Sequence, residues 1–393
     1  MRRTLTFLII CLTVLCACHH DDPKPERAGR VVLVYMAAEN NLNVQTFGDL
    51  SEMMVGSEQI SKNDKLLVFV DKTNLNPYIL KVENGDTVRM KTYKENLVTG
   101  DPETLRIALQ WMMDKYQADS YALVLWGHAD GWTIKNEESQ IKQSPRRAYG
   151  VDTAQGEQWM DITDMAKVLA DFPHLTYIFA DCCAFLSIES AYELRNVTDY
   201  IIASPAEIPA EGAPYHLVVP ALFSREDNFY EQIADAYFMQ TTNDGYKEPI
   251  SVVKTNEGEL ENLALATKNV LYSFVSRQPQ NSYLNVSGLI YYYSRTLFDM
   301  NDFIMRYASE DEYKAWKQVF DEAVIYKTFA TKWRANYVKW SDFKVTEERY
   351  GGVNMYVPQD PATIIKNIRA QQQAKTISRT QWYEAAGYEA LGW

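Results

Sequence analysis

Two stretches, Tyr121-Ala-Leu-Val-Leu-Trp-Gly-His128 and Thr176-Tyr-Ile-Phe-Ala-Asp-Cys-Cys183, decide the reading of this chain. Each is a short apolar run, as expected of a strand buried on both faces of a parallel sheet. Each ends in a residue able to do acid–base or nucleophilic chemistry, and open α/β sheets carry their sites outside the carboxyl ends of the strands. A His and a Cys delivered to one rim point to a cysteine hydrolase. Scarcity narrows the choice, because the chain has only five His and five Cys. Cys11, Cys16, Cys18, His19 and His20 lie in or directly after an N-terminal apolar segment. The folded body keeps Cys182, Cys183, His128, His174 and His216.

Around these two runs the chain alternates strands and helices. Arg30–Met36 and Lys65–Asp71 read as further buried strands. Tyr78–Val82 and Thr87–Thr92 form a hairpin about Asn84-Gly85. Asp101-Pro102 opens a helix with a capping carboxylate and a Pro at its first position, and Leu105, Leu109, Met112 and Tyr116 supply its apolar face. Helices are also expected over Ile162–Leu169 and from Ile188, with a short strand at Asp199–Ala203. This order predicts an α/β fold, a mostly parallel sheet covered on both faces. Beyond about residue 245 come one strand at Ile250–Val253, amphipathic helices around 258–277 and 299–338, and a late strand in Tyr350–Pro358. There is no internal repeat.

Met1-Arg-Arg3 followed by Leu5–Leu15 has the charged start and short apolar core of an export signal, too short to span a membrane as a mature helix. Leu15-Cys16-Ala17-Cys18 resembles a bacterial lipobox, which makes Cys18 the lipidated first residue of the mature chain. The chain then divides into a signal peptide (1–17), a polar tether (18–30), a catalytic domain (31–245) and a largely helical C-terminal region (246–393). The expected location is the bacterial cell envelope, as an outer-membrane lipoprotein with surface display open. The net charge of −13, with no basic stretch interleaved with aromatics, argues against nucleic acid as a partner. Adjacent Cys182 and Cys183 are poorly placed to pair with each other, so the fold must stand without disulfides.

Cys183, at a strand end shortly before a helix, is expected to have its pKa lowered by the helix N-terminus. Neighbouring side chains on a strand face opposite ways, so only one of the two cysteines can face the rim. His128 precedes Ala129-Asp130-Gly131-Trp132, whose backbone N–H groups are suited to an oxyanion. His174 precedes its strand and so lies at the opposite end, and His216 sits in a Pro-containing loop as a candidate to line a substrate cleft. No Asp or Asn at an informative spacing suggests a third member, so a dyad is expected.

Trp126-Gly-His128-Ala-Asp-Gly-Trp132 and Asp181-Cys182-Cys183-Ala-Phe, followed by Ile188-Glu-Ser-Ala-Tyr-Glu-Leu194, resemble the motifs of the clostripain family of cysteine peptidases. Val34–Leu42, Ser204–Tyr215 and Tyr350–Pro358 extend the resemblance over essentially the whole mature chain. It implies a caspase-like α/β/α sandwich with a helical C-terminal extension, and the His-to-Cys spacing agrees with caspases. It further implies Cys183 as nucleophile, His128 as general acid/base, and the N–H groups of Ala129 and Cys183 as the oxyanion hole. Asp181 and Glu211 become the acidic residues of a pocket for a P1 Arg or Lys. Self-cleavage is expected after Lys142, Arg146 or Arg147. Ala129, Cys182, Ala184-Phe185 and Ala210 depart from the family pattern without removing a reacting atom.

The expected function is therefore an exported, lipid-anchored cysteine endopeptidase acting on peptides with basic P1 residues. The alternative is a catalytically inactive surface lipoprotein that binds peptides or glycans on a peptidase scaffold, and another amide-cleaving Cys-His enzyme is a third. No metal cluster of catalytic spacing stands out. Ca²⁺, which some members of the family need, stays open with its ligands unplaced. Natural substrate and oligomeric state are left open.

Overall fold

The computed structural model describes residues 24–134, 148–153, 156–239, 247–277, 284–293, 296–335, 339–340, 343–359, 361–366 and 368–393. Cys18 and the cleavage candidates Lys142, Arg146 and Arg147 lie outside the described residues. The five central strands, β1 (Glu26–Ala38), β2 (Lys65–Lys72), β5 (Tyr116–Trp126), β8 (Tyr177–Asp181) and β9 (Tyr200–Ala203), run parallel in the order β9-β8-β5-β1-β2. Beside β2 the hairpin β3 (Tyr78–Glu83) and β4 (Asp86–Thr92) continues the sheet antiparallel. Asn84 (φ 50°) and Gly85 (φ 78°) are both left-handed, which a two-residue turn of this hand requires. Two short strands, β6 (Tyr149–Asp152) and β7 (Gln158–Met160), pair outside the main sheet.

β1 starts before Arg30 and takes in the end of the segment read as a tether. Glu26, Arg27 and Ala28 pair with Tyr116, Gln117 and Ala118, so the backbone ladder carries two charged residues and a small apolar one into the sheet. The alternation of β1 shows how both faces are covered. Val31, Leu33 and Tyr35 pack into one apolar cluster, and Val32, Val34 and Met36 into the other. The first face is covered by α2 (Pro102–Lys115), α3 (Ile162–Leu169) and α4 (Ile188–Leu194). The second is covered by α1 (Thr46–Ser57), α5 (Tyr215–Leu222) and α6 (Phe229–Phe238). Asp101 caps α2 by accepting from the Glu103 N–H at 2.9 Å, as its sequence promises, although Tyr116 already belongs to β5.

Past residue 245 the sheet continues. β10 (Ser251–Lys254) pairs antiparallel with β9. After α7 (Glu259–Arg277) and β11 (Leu297–Asp299) come α8 (Met300–Tyr307) and α9 (Glu310–Ala323). The helical reading of 299–338 then fails, because Val324–Lys327 forms β12 against β10. The sequence Val324-Ile-Tyr326 is β-branched and aromatic, and the open edge of β10 gives it a ladder to join. A minor pair, β13 (Arg334–Ala335) with β14 (Lys339–Trp340), precedes the late strand β15 (Asn354–Tyr356), which pairs with β11. Helices α10 (Pro361–Ile364), α11 (Ile368–Thr376) and α12 (Gln381–Ala385) end the chain.

The return into β15 is anchored by Arg349, whose Nε and Nη2 reach Asp302 Oδ1 and Oδ2 at 2.7 and 2.6 Å. Asp302 is buried, so removing its partner strands a charge in a dry site. We expect Arg349→Met to lower the unfolding free energy by about 3–5 kcal/mol, read by urea denaturation of the full chain.

Candidate active site

The parallel register of β5 and β8 sets Trp126 opposite Asp181, so Gly127-His128 and Cys182-Cys183 leave the sheet side by side. The Gly127 N–H donates to the Asp181 carbonyl at 3.4 Å across this junction. Cys182 is fully buried among the apolar side chains of the first face, whereas Cys183 is half-buried at the rim. The alternation expected of adjacent residues is met. His174, by contrast, sits 3.0 Å from Asp199 near the amino end of β8, away from the rim. His216 is in the first turn of α5 rather than in a loop, with Nδ1 3.4 Å from Glu52.

Nε2 of His128 lies 2.8 Å from Oδ1 of Asn41. An amide oxygen only accepts, so Nε2 is the ring nitrogen placed to donate to it. Asn41 is 87 residues from His128, so no spacing in the sequence marks it as a third member; Ala38-Glu-Asn-Asn41 is its one local signal. The loop after His128 is tied to β6: the Asp130 N–H donates to Ala148 at 3.3 Å, and the Gly150 N–H donates to His128 at 2.9 Å. In such a bridge between Ala129 and Tyr149 the bonds come from the flanking residues, so the Ala129 N–H points to the other side.

The thiol of Cys183 has the backbone of Ile208 as its partner. The Ile208 N–H donates to Sγ at 3.4 Å, and Sγ lies 3.8 Å from the Ile208 carbonyl. Burial pushes the thiol up to about 12; the Ile208 N–H works against this, and the charges of Glu207, Asp130 and Glu248 add to it. The expected lowering by a helix N-terminus is therefore not realised. α4 begins only at Ile188, beyond the reach of a helix end, and the surroundings are dry and acidic. Ala184 takes a left-handed φ of 50° in the turn that follows, held by its N–H to the Ala206 carbonyl at 2.7 Å. Asp130 meets Arg369 of α11 at 2.8 Å, which brings the C-terminal region to the catalytic loop.

Asp181 is buried on the second face. Its Oδ2 accepts from the Ala213 N–H at 3.1 Å and the Tyr215 hydroxyl at 2.9 Å, while Oδ1 has no hydrogen-bond partner. Burial raises this carboxyl to about 6 against those two donors. Asp49, which accepts from Trp126 Nε1 at 2.5 Å, is pushed to about 8 by burial and by the charges of Asp181, Glu52 and Glu211. The sequence reading found Asp181 and Glu211 but missed buried Asp49 and half-exposed Glu52, which sit on α1, a helix with no motif to mark them. Gly212 (φ 63°) closes the cup, since a Cβ there would meet Asp181 Oδ2 at 2.8 Å.

A second acidic group, Glu39, Asp71 and Asp152, lies beside the ends of β1 and β2, its carboxylate oxygens within 4.8 Å of one another. Burial and the neighbouring charges raise Asp71 to about 8, with Thr99 opposing the rise. Among the described residues no helix is long and apolar enough to cross a membrane.

An imidazole and a thiol at neighbouring ends of a parallel sheet, above an acidic cup, define the architecture of a cysteine peptidase of the caspase-like kind. The model of the clostripain family matches residues 34–388, and the chain belongs to that family. Clostripain from Hathewaya histolytica is 21% identical over 47% of this chain and 40% of its own length, so the chain spans well under two thirds of that curated relative. Among solved structures, a secreted C11 cysteine protease from Bacteroides thetaiotaomicron in complex with an irreversible peptide inhibitor matches with a TM-score of 0.77. It is 28% identical and the match covers 92% of this chain and all of that one. An inactive zymogen C11 protease from Parabacteroides distasonis matches at a TM-score of 0.75 and 28% identity, over 92% of this chain and 99% of that one.

A thiol raised toward 12 is almost wholly protonated near neutrality. We expect iodoacetamide to label Cys183 of the intact His128→Ala chain more slowly than a free cysteine at pH 7.5. The rate should still climb about tenfold per pH unit beyond pH 9, where a free thiol has levelled off. Mass spectrometry of the labelled peptide checks this, and a plateau near pH 8.5 would contradict it.

Proposed function

We propose that this chain is a cysteine endopeptidase that cleaves after Arg or Lys, with Cys183 as nucleophile and His128 as general acid/base. One observation carries the specificity: a buried carboxylate, Asp181, keeps an unpartnered oxygen two residues from the thiol, with Asp49, Glu52 and Glu211 close by. A guanidinium or ammonium entering that cup supplies the missing donor through charge-assisted hydrogen bonds.

In the reaction, Nδ1 of His128 takes the thiol proton as sulfur attacks the scissile carbonyl carbon. The resulting oxyanion receives the N–H groups of Ala129 and Cys183. The imidazolium then protonates the departing amine, the C–N bond breaks, and a thioester remains on Cys183. Water, deprotonated by the same imidazole, hydrolyses the thioester and regenerates the thiol. Asn41 keeps the ring in the tautomer this cycle needs.

Self-activation by cleavage after Lys142, Arg146 or Arg147 fits the same specificity. It agrees with the high thiol pKa of the uncut chain and with the existence of an inactive zymogen form in the Parabacteroides distasonis relative. Lipidation at Cys18 would anchor the enzyme in the outer membrane of the cell envelope. The inhibitor-bound relative is described as secreted, which is consistent with export.

Cys183→Ala and His128→Ala should each lower kcat/KM on a fluorogenic Arg substrate by at least about 10⁴-fold, while Cys182→Ala keeps activity. Loss in Cys182→Ala alone would reassign the nucleophile. A basic-peptide chloromethyl ketone separates the enzyme from an inactive binding scaffold, because only a competent site becomes labelled at Cys183.

The pocket acid also sets a pH limb. With its pKa raised to about 6, Asp181 is neutral below that pH and charged above it, so kcat/KM for an Arg substrate should fall as the pH drops through 6. Asp181→Asn should lower kcat/KM for that substrate about 100-fold and remove this limb. An unchanged acid limb in the variant would exclude Asp181 as its source.

A further inference from the structure

Three polar side chains of α11 grip the stretch that follows His128, and the proposed reaction uses none of them. Arg369 Nε stands 2.8 Å from Asp130 Oδ2, and Asp130 is fully buried. Gln372 Nε2 donates to the Ile134 carbonyl at 2.8 Å, and Gln373 Nε2 lies 3.5 Å from the Thr133 hydroxyl oxygen. Both amides are buried. Two of the three side chains are held from behind. Arg369 Nη2 donates to the Tyr293 hydroxyl at 2.6 Å, and Gln373 Oε1 accepts from the Thr296 hydroxyl at 2.6 Å.

This is a costly way to cover a loop. Taking a carboxylate and a guanidinium out of water costs several kcal/mol for each ion, and apolar side chains of similar size would cover the same backbone without that cost. What the polar groups add is direction, because an apolar contact can slide whereas a hydrogen bond fixes both distance and angle. The stretch they fix packs closely against the site. Thr133 Oγ1 donates to the Asp130 carbonyl at 3.2 Å, and a Cβ at Gly131 would stand 3.3 Å from the Ala184 carbonyl, in the turn after Cys183. Ala148 and Gly150 hold the backbone of Asp130 and His128, so Arg369 adds to that hold the side chain of Asp130.

We propose that Arg369 is a positioning residue that acts through Asp130: it sets the turn after β5, and with it the His128 ring and the Ala129 N–H, against the thiol of Cys183. The proposal rests on the reading of Cys183 and His128 as the reacting pair. The cup around Asp181 is built on the other face of the sheet, by Ala213 and Tyr215. A fault at Arg369 therefore reaches the chemical step and leaves the binding of a basic side chain alone. A displacement of about 1 Å in a group that must meet a reacting atom costs on the order of 100-fold in rate.

Kinetics of the full chain on a fluorogenic Arg substrate test this in two backgrounds, the parent and Asp130→Asn. In the parent, Arg369→Met should lower kcat on the order of 100-fold with KM within about threefold. Arg369→Lys, which keeps the cation, should recover about tenfold of that loss. In the Asp130→Asn background the same Arg369→Met change should cost less than about threefold, because the residue it acts through is already gone. Arg369→Gln gives the same comparison if the Met variant does not fold. An equal loss in both backgrounds, a loss carried by KM, or no recovery with Lys would overturn the proposal. A second arm needs no turnover. In the Cys183→Ala chain, Arg369→Met should shift the His128 ring resonances while those of His174 and His216 stay in place. A parent that cleaves no basic substrate would end the peptidase reading and leave this arm to decide; unmoved His128 resonances would end the positioning role alone.

Discussion

The site depends on the hydrogen-bonded register of two parallel strands. Trp126 stands opposite Asp181, and everything on either side follows from that pairing. Two residues further along each strand are His128 and Cys183. Trp126 itself holds Asp49, and Asp181 takes the Tyr215 hydroxyl and the Ala213 N–H, so these acids are placed by the same rung that places His128 and Cys183. A slip of one residue would exchange the two faces of β8, turning Cys182 to the rim and Asp181 into the apolar core. The alternating clusters on β5 and β8 make that slip prohibitively costly, because Leu123, Leu125, Ile178 and Ala180 pack on one face and Val124, Trp126, Tyr177 and Phe179 on the other.

The C-terminal region contributes charge to the site as well as packing. Asp130, two residues after His128, is one of the carboxylates that raise the Cys183 thiol, and Arg369 of α11 lies against it. Arg369 also stacks on Tyr293, its guanidinium 3.9 Å from the ring centre. On the other side of the thiol, Asn354 of β15 donates to the Pro205 carbonyl at 3.0 Å and its N–H donates to Leu186 at 3.2 Å. The turn carrying Cys183 is thus held between a segment before α5 and a strand formed about 170 residues later. This explains why the family resemblance runs to the end of the chain although the reacting groups lie within its first half.

Most of the architecture was legible because it is local. Strand runs, the Asn84-Gly85 turn and the Asp101-Pro102 cap each declare themselves within a few residues. The side that each cysteine faces could be read because alternation sends adjacent residues to opposite faces. Three things were not legible, for one shared reason. Asn41 meets His128, Asp49 meets Trp126, and Asp71 meets Asp152 only after the sheet is assembled, and none of these carries a spacing that marks it. The thiol pKa departs for a different reason: the sequence shows a helix start nearby but not the burial, with Glu207, Asp130 and Glu248 adding to it, that dominates at the sulfur. β12 failed because an amphipathic pattern cannot reveal that an open sheet edge waits beside it.

The segment 206–212 joins the two halves of the site. At one end Ala206 accepts from the Ala184 N–H, in the middle Ile208 brackets the sulfur of Cys183, and at the other Gly212 rests against Asp181. Glycine at 212 leaves room for the Asp181 carboxylate, since an added Cβ would stand 2.8 Å from its Oδ2 and the φ of 63° is one that side chains rarely adopt. Ile208 is four residues away on the same loop, and its carbonyl and N–H are the groups that hold the sulfur. One short piece of backbone therefore meets both the sulfur of Cys183 and the carboxylate of Asp181, and the two groups share its position.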